Sequence, residues 1–404
     1  MVGTAQVDNY IVFIRKIGYS VGLESLLRRA TDFGARYAAV PSFRESDWTS
    51  LVHDKDKWNL KTSNVGDVFA ELGIAKVRNR EVFPGPIGES LGISRKLLPD
   101  SEYKRACRFL VALAIVTADG DIFLNALRSK FDKEATSKAL ILMIGEKRNA
   151  LFEIFRNTPE REAVAGAVSI ERQRTNKGGG SPGGLAGVAK GLPLSERTQG
   201  LGLPQPLNIN SVETPSKDYL HKITISRKGW AESLGLFSGE DLTDAGFAFL
   251  LRLSQAGLSS KDGTFCVWPT AFDLESNQFD SKAFDILHPL STWQFQLAVF
   301  RAMGGHVAAS TPNATDINRA AQLIAEIYRA YRDLSQNRRM IRNEVPKQVI
   351  SAVFLARALS LEIPALDIDA VIESPLLLGH GVTVRISKTI EQAITVRTHA
   401  SQTA

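Results

Sequence analysis

The chain is expected to be mainly α-helical with short β-ribbons, in two halves joined by a Gly/Pro-rich linker. Three features carry that expectation. Apolar residues recur at spacings of three and four over several long stretches, the period of one helix face. Strand-like alternation is scarce and short, which suits small ribbons rather than a large sheet. Thr175 to Lys217 holds nine glycines and five prolines in 43 residues. That much glycine has too much backbone freedom to lose, and the prolines remove hydrogen-bond donors. The expected division is an N-terminal half, 1–174, a flexible linker, 175–217, and a C-terminal half, 218–404. Leu185, Leu192, Leu194, Leu201 and Leu203 within the linker also allow a segment that orders on a partner.

Along the first half, Gly22 to Gly34 places Leu23, Leu26, Leu27, Ala30 and Phe33 on one helical face, with a glycine just beyond the last apolar position. Ser63 to Pro84 follows a different layout. A helix through Val65, Val68, Phe69 and Leu72 stops at Gly73, and Ile74 leads into a ribbon over Lys76 to Phe83 with Asn79-Arg80 at its tip. Helices are then expected over Tyr103 to Val116 and Lys133 to Phe155. In the second half, Lys222 to Ser226 alternates like a strand. A helix carrying Trp230 and Leu234 stops at Gly235, and Leu236-Phe237 form a short strand. Ser238-Gly239 then turn, and Leu242-Thr243 opens a helix over Asp244 to Leu253. Asp316 to Leu334 is the clearest helix, with Thr315 or Asp316 as its N-cap and an apolar stripe from Ile317 to Tyr331. Gln348 to Leu361, followed by ribbon-like Gly381 to Ser387, repeats the helix-then-ribbon layout more faintly.

Composition narrows the function. The 44% hydrophobic and 23% charged content is that of an ordinary globular chain. The longest apolar run, Phe109 to Ala118, is ten residues, so no membrane span is expected. Met1 to Tyr10 has no basic patch ahead of an apolar stretch, so no secretory signal is expected. Two cysteines, Cys107 and Cys266, make neither a disulfide framework nor a cysteine zinc site and suit a reducing cytosol. A net charge of +6 and a pI near 9.2 permit a polyanionic partner.

Catalytic signatures are missing. There is no Gly-x-x-x-x-Gly-Lys-Ser/Thr, no His-Glu-x-x-His and no Cys-x-x-Cys, and the six histidines are scattered. Pro99-Asp100-Ser101-Glu102-Tyr103-Lys104 is similar to the Pro-Asp…Glu-x-Lys set of restriction nucleases. One residue between the carboxylates, and a lysine at a helix start, do not make that metal site. Asp119-Gly120-Asp121 reads first as a turn. No catalytic residue, metal or cofactor is expected, so the protein is expected not to be an enzyme. The basic group Arg338, Arg339, Arg342 and Lys347 offers a phosphate-binding face. The smaller groups Arg172, Arg174 and Lys177, and Lys104, Arg105 and Arg108, read as solvated faces.

The shared phrase helix, Leu-Gly-aliphatic, turn, with its "LGL…LTDAGFAFL" copy from Leu234, resembles the winged helix-turn-helix superfamily. The resemblance covers about a third of the chain, with modules near 61–88 and 219–256. It implies a helix for the major groove of double-stranded DNA and a basic wing on the backbone. In the first copy the wing offers Lys76, Arg78 and Arg80. In the second, Glu240, Asp241 and Asp244 make an acidic turn suited to protein contact or internal packing, and Arg227 and Lys228 lie near a helix start. The expected role is a non-enzymatic DNA-binding subunit of a cytoplasmic prokaryotic multi-subunit complex, in phage defence (antiviral defence) or restriction, with other protein subunits as partners. The alternatives are a protein–protein adaptor using winged helices for docking, and a nuclease resembling type IIS restriction enzymes.

Overall fold

The computed structural model describes residues 23–39, 43–44, 68–69, 72–78, 81–157, 217–267, 290–336, 344–359, 361–373, 375–386 and 393–398. In chain order the first elements are α1 (Leu23–Ala39), β1 (Phe43–Arg44), β2 (Ala75–Arg78), β3 (Glu81–Pro84), α2 (Pro86–Leu97), α3 (Asp100–Arg128) and α4 (Lys133–Asn157). Then come α5 (Lys217–Ser233), β4 (Phe237–Ser238), β5 (Asp241–Leu242), α6 (Asp244–Leu253), α7 (Thr292–Ala302) and β6 (His306–Val307). The chain goes on through α8 (Ala314–Gln336), β7 (Glu344–Pro346), α9 (Lys347–Ala358), β8 (Glu362–Ile363), α10 (Ile368–Glu373) and α11 (Leu376–Gly379). It closes on β9 (Val382–Ile386) and β10 (Ala393–Thr398). The protein is mainly helical with short strands, as its periodicity predicts.

Two compact units divide it, and they interleave in sequence. One contains residues 116–291; the other is built from 24–115 together with 292–404. This division by packing differs from the division by composition at Thr175 to Lys217. Of that segment only Lys217, the first residue of α5, lies within the described residues.

In the unit of 24–115 and 292–404, α2 packs on α8 and α9, and α9 also packs on α7 and α8. α9 is buried almost all round, from Gln348 to Ala358, so its polar groups need partners. Gln296 on α7 donates to the Gln348 carbonyl at 3.0 Å and accepts from the Ser351 hydroxyl at 2.5 Å. Phe109 and Phe300 meet edge-on at 6.1 Å. α8 begins with a reciprocal cap. The Asp316 amide donates to the Asn313 side chain at 3.0 Å and the Asn313 amide to the Asp316 carboxylate at 3.1 Å. The cap is therefore Asn313, two residues before Thr315 and three before Asp316, the candidates that the sequence suggests. α1 runs past Gly34, where a stop is expected, because this glycine is a contact point. A Cβ there would lie 2.2 Å from the Tyr103 hydroxyl and 2.9 Å from the Leu91 Cβ. Tyr103 donates to the Thr31 carbonyl at 2.9 Å, and burial pushes the thiol of nearby Cys107 up to about 11.

In the unit of 116–291, α4 packs on α5. Lys222 to Ser226 lies within α5 and is not a strand. The Thr224 hydroxyl donates back to the Leu220 carbonyl at 2.7 Å, so the β-branched run satisfies itself helically. Asp119-Gly120-Asp121 is a kink inside α3 rather than a turn, with Asp119 at φ −136°, ψ 15°. The Asp119 carboxylate takes two bonds from Arg227, at 2.6 and 2.7 Å, and both side chains are 1% exposed. The Arg227 guanidinium lies 5.4 Å from the Trp230 ring centre. Below the kink, Asp121 accepts from the Val267 amide. Asn125 bonds Phe265 twice, donating to its carbonyl at 2.8 Å and accepting from its amide at 3.0 Å. Side chains of α3 thus hold the chain over 265–267 as a neighbouring strand would.

α3 contains the ten-residue apolar run Phe109 to Ala118. By length and composition it could cross a membrane, with a mean hydropathy of 1.7 over 18 residues, but 94% of that window is buried inside the protein. Its apolar length is used in packing.

Candidate nucleic-acid interface

The first ribbon begins where a helix ends. The Ile74 amide donates to the Phe69 carbonyl at 2.8 Å around Gly73, which stands at φ +64°. That left-handed position favours glycine and turns the chain back under the helix. β2 and β3 then pair antiparallel, with Ala75 opposite Pro84, Lys76 opposite Phe83, Val77 opposite Val82 and Arg78 opposite Glu81. β1 joins the far side of β3, with Phe43 opposite Val82 and Arg44 opposite Glu81. The sheet order is β1-β3-β2.

Strand residues alternate between faces. Ala75 is 3% exposed and Val82 5%, so these two are turned inward, and Val77 and Phe43 take register positions on their face. Lys76 and Arg78 occupy register positions on the opposite face, with Glu81 and Phe83. β1 brings Arg44 there too, so one row across the sheet reads Arg44, Glu81, Arg78. By register this face takes three basic residues and one acidic one. Sequence reasoning missed Arg44 because a two-residue strand has no alternation to read. It also missed that Glu81 lies between the two arginines. Arg80, at the ribbon tip, lies outside the described residues, as do Arg338, Arg339 and Arg342. Lys347 opens α9 and is half-buried.

The second copy has the same junction. The Leu236 amide donates to the Ala231 carbonyl at 2.8 Å around Gly235, at φ +72°. β4 and β5 turn at Gly239, φ +64°, and the Thr243 side chain caps α6 by accepting from the Gly246 amide at 3.0 Å. The match to the first copy extends past the ribbon. The Gly85 amide donates to the Ile74 carbonyl at 2.9 Å, as the Thr243 amide does to Leu236 at 3.1 Å. Three residues on, a Cβ on Gly88 would lie 2.0 Å from the Ile74 oxygen, and one on Gly246 would lie 1.9 Å from the Leu236 oxygen. Each following helix packs its first turn on the same carbonyl.

The chemistry of the second copy differs. Arg227 is in the later half of α5, not near its start, and its charge is spent on Asp119, so it is not offered to phosphate. Glu240, Asp241 and Asp244 are exposed. Lys130 pairs with Asp241 at 2.9 Å and holds its carboxyl below the usual range. Among the described residues no group of three or more His, Cys, Asp or Glu could hold a metal ion. Asp100, Glu102 and Lys104 share the start of α3 at two-residue steps, about 200° apart round the helix, so they do not converge. Asp100 pairs with Arg95 at 2.5 Å. Lys104, Arg105 and Arg108 are exposed; Arg172, Arg174 and Lys177 lie outside the described residues. Comparison with protein-family models, curated proteins and solved structures finds no match to this chain.

Proposed function

We propose that the protein binds double-stranded DNA through winged-helix modules, as a non-enzymatic subunit of a cytoplasmic prokaryotic assembly of the phage-defence or restriction kind. The observation that carries the reading is the three-stranded sheet following a glycine-ended helix. The face bearing Lys76, Arg78 and Arg44 lies opposite the buried face of Ala75 and Val82. Cations on alternate strand positions meet phosphates rather than base edges, so they anchor the protein without selecting sequence. Each phosphate neutralised contributes roughly −0.9 to the slope of log affinity against log salt on duplex DNA. Arg78→Ala/Arg80→Ala is expected to weaken binding to every duplex alike and to flatten that slope by about 2. Unchanged affinity and slope would make this first module a packing element.

A second reading, a protein–protein adaptor, draws support from the other module. α6 leaves Phe247 63% and Leu251 46% exposed, four residues apart on one helix face, beside an acidic turn that repels phosphate. This reading moves ahead if the Arg78/Arg80 variant binds duplex as the wild type does.

A further inference from the structure

The sheet β7-β10-β9 repeats the strand order of β1-β3-β2, with the last strand of the hairpin in the middle and the earliest strand at its edge. It too follows a helix ended by a left-handed glycine, Gly381 at φ +71°. The register of the β9–β10 hairpin sorts its residues into two unlike faces. Val382, Val384, Ile386, Ile394, Val396 and Thr398 fall on one. Thr383, Arg385, Thr395 and Arg397 fall on the other. Val382 is fully buried, so its side of the hairpin is inward at that position. The opposite face carries two arginines and two threonines, and neither strand contains a carboxylate. β7 adds Glu344 to it, opposite Thr395, one negative charge against two positive. Arg385 and Arg397 take diagonal register positions, about 7–8 Å apart in such pairs.

We infer that the β9–β10 ribbon is a second phosphate-binding face, on which Arg385 and Arg397 take the sugar–phosphate backbone of a nucleic-acid duplex. The inference rests on the duplex-binding reading above but uses none of the same residues. The unit of 24–115 and 292–404 then carries two cationic ribbons, and each adds its own share to the salt dependence of binding.

The test titrates the full chain against a fluorescein-labelled random-sequence DNA duplex over a range of salt. Arg385→Gln/Arg397→Gln is expected to flatten the salt slope by about 2 and to weaken binding on the order of tens-fold at ~0.1 M salt, the difference vanishing toward ~1 M. Arg385→Lys/Arg397→Lys keeps both charges and should keep the slope. Single Gln replacements, each expected to flatten it by about 1, carry the test if the double variant does not fold. Wild-type affinity and slope in the Gln variants, or equal losses in the Gln and Lys pairs, would overturn this inference while leaving duplex binding standing. A wild-type chain that does not bind duplex would overturn both.

Discussion

Arg227 shows how far a single residue's role can lie from its sequence neighbourhood. Its partner, Asp119, is 108 positions away, and nothing local distinguishes a buried, bidentate arginine from a solvated one. Removing one member strands the other's charge in the interior, which typically costs about 3–5 kcal/mol. Arg227→Met should therefore lower stability by about that amount in denaturant melts, and Asp119→Leu added to it should recover much of the loss. Trp230 was legible, since it stands four residues before Leu234 on an apolar face, and it is fully buried 6.5 Å from the Phe123 ring. Trp230→Ala should cost about 3–5 kcal/mol; a loss under about 1 kcal/mol would contradict its burial. Cys107 gives a pH signature. Its thiol stays protonated in the fold up to about 11, whereas in the unfolded chain it ionises near roughly 8.5. A raised pKa gives stability that is complete below the unfolded value and lost as pH climbs toward the folded one. Denaturation midpoints should hold to about pH 8 and fall between roughly 8.5 and 11, and Cys107→Ala should shallow that fall.

Among the elements, glycine-ended helices were the most readable. Leu-Gly-aliphatic states a helix stop and a reversal in three residues, and both copies fold that way. Strand assignment was mixed for a physical reason. Lys76 to Phe83 and Val382 to Ser387 alternate, and their described valines Val82 and Val382 are buried, whereas Lys222 to Ser226 alternates by coincidence in a helix packed on α4. What the pattern did not disclose was the third strand of each sheet, β1 and β7, two and three residues long. Long-range pairing decides such strands. The paired glycines Gly88 and Gly246 provide a test of the junction. Gly246→Ala forces a methyl into the Leu236 carbonyl and should cost about 1–3 kcal/mol. Gly239→Ala meets nothing within 4 Å and should cost only the left-handed penalty of roughly 1–2 kcal/mol. Thermal melts in which Gly88→Ala and Gly246→Ala are both tolerated would refute the shared junction.

For the whole molecule, composition suggests a cut at Thr175 to Lys217, and packing groups residues 116–291 in one unit. Within the unit of 116–291, Asp119, Phe123 and Asn125 hold Arg227, Trp230 and Phe265 across the Gly/Pro-rich segment. A fragment of residues 218–404 should therefore lack a cooperative melt by circular dichroism, and mixing it with 1–174 should restore one. A lone fragment that melts like the intact protein would restore the division by sequence. The interleaving also sets an order of events on the ribosome. The unit of 116–291 can close soon after Val267 emerges. In the other, α2 must wait for α8 and α9 to be made before its packing is complete. At roughly 5–20 residues per second, that wait is on the order of ten seconds or more. During synthesis α2 is thus a client for chaperones, and slow translation ahead of α8 would lengthen its exposure.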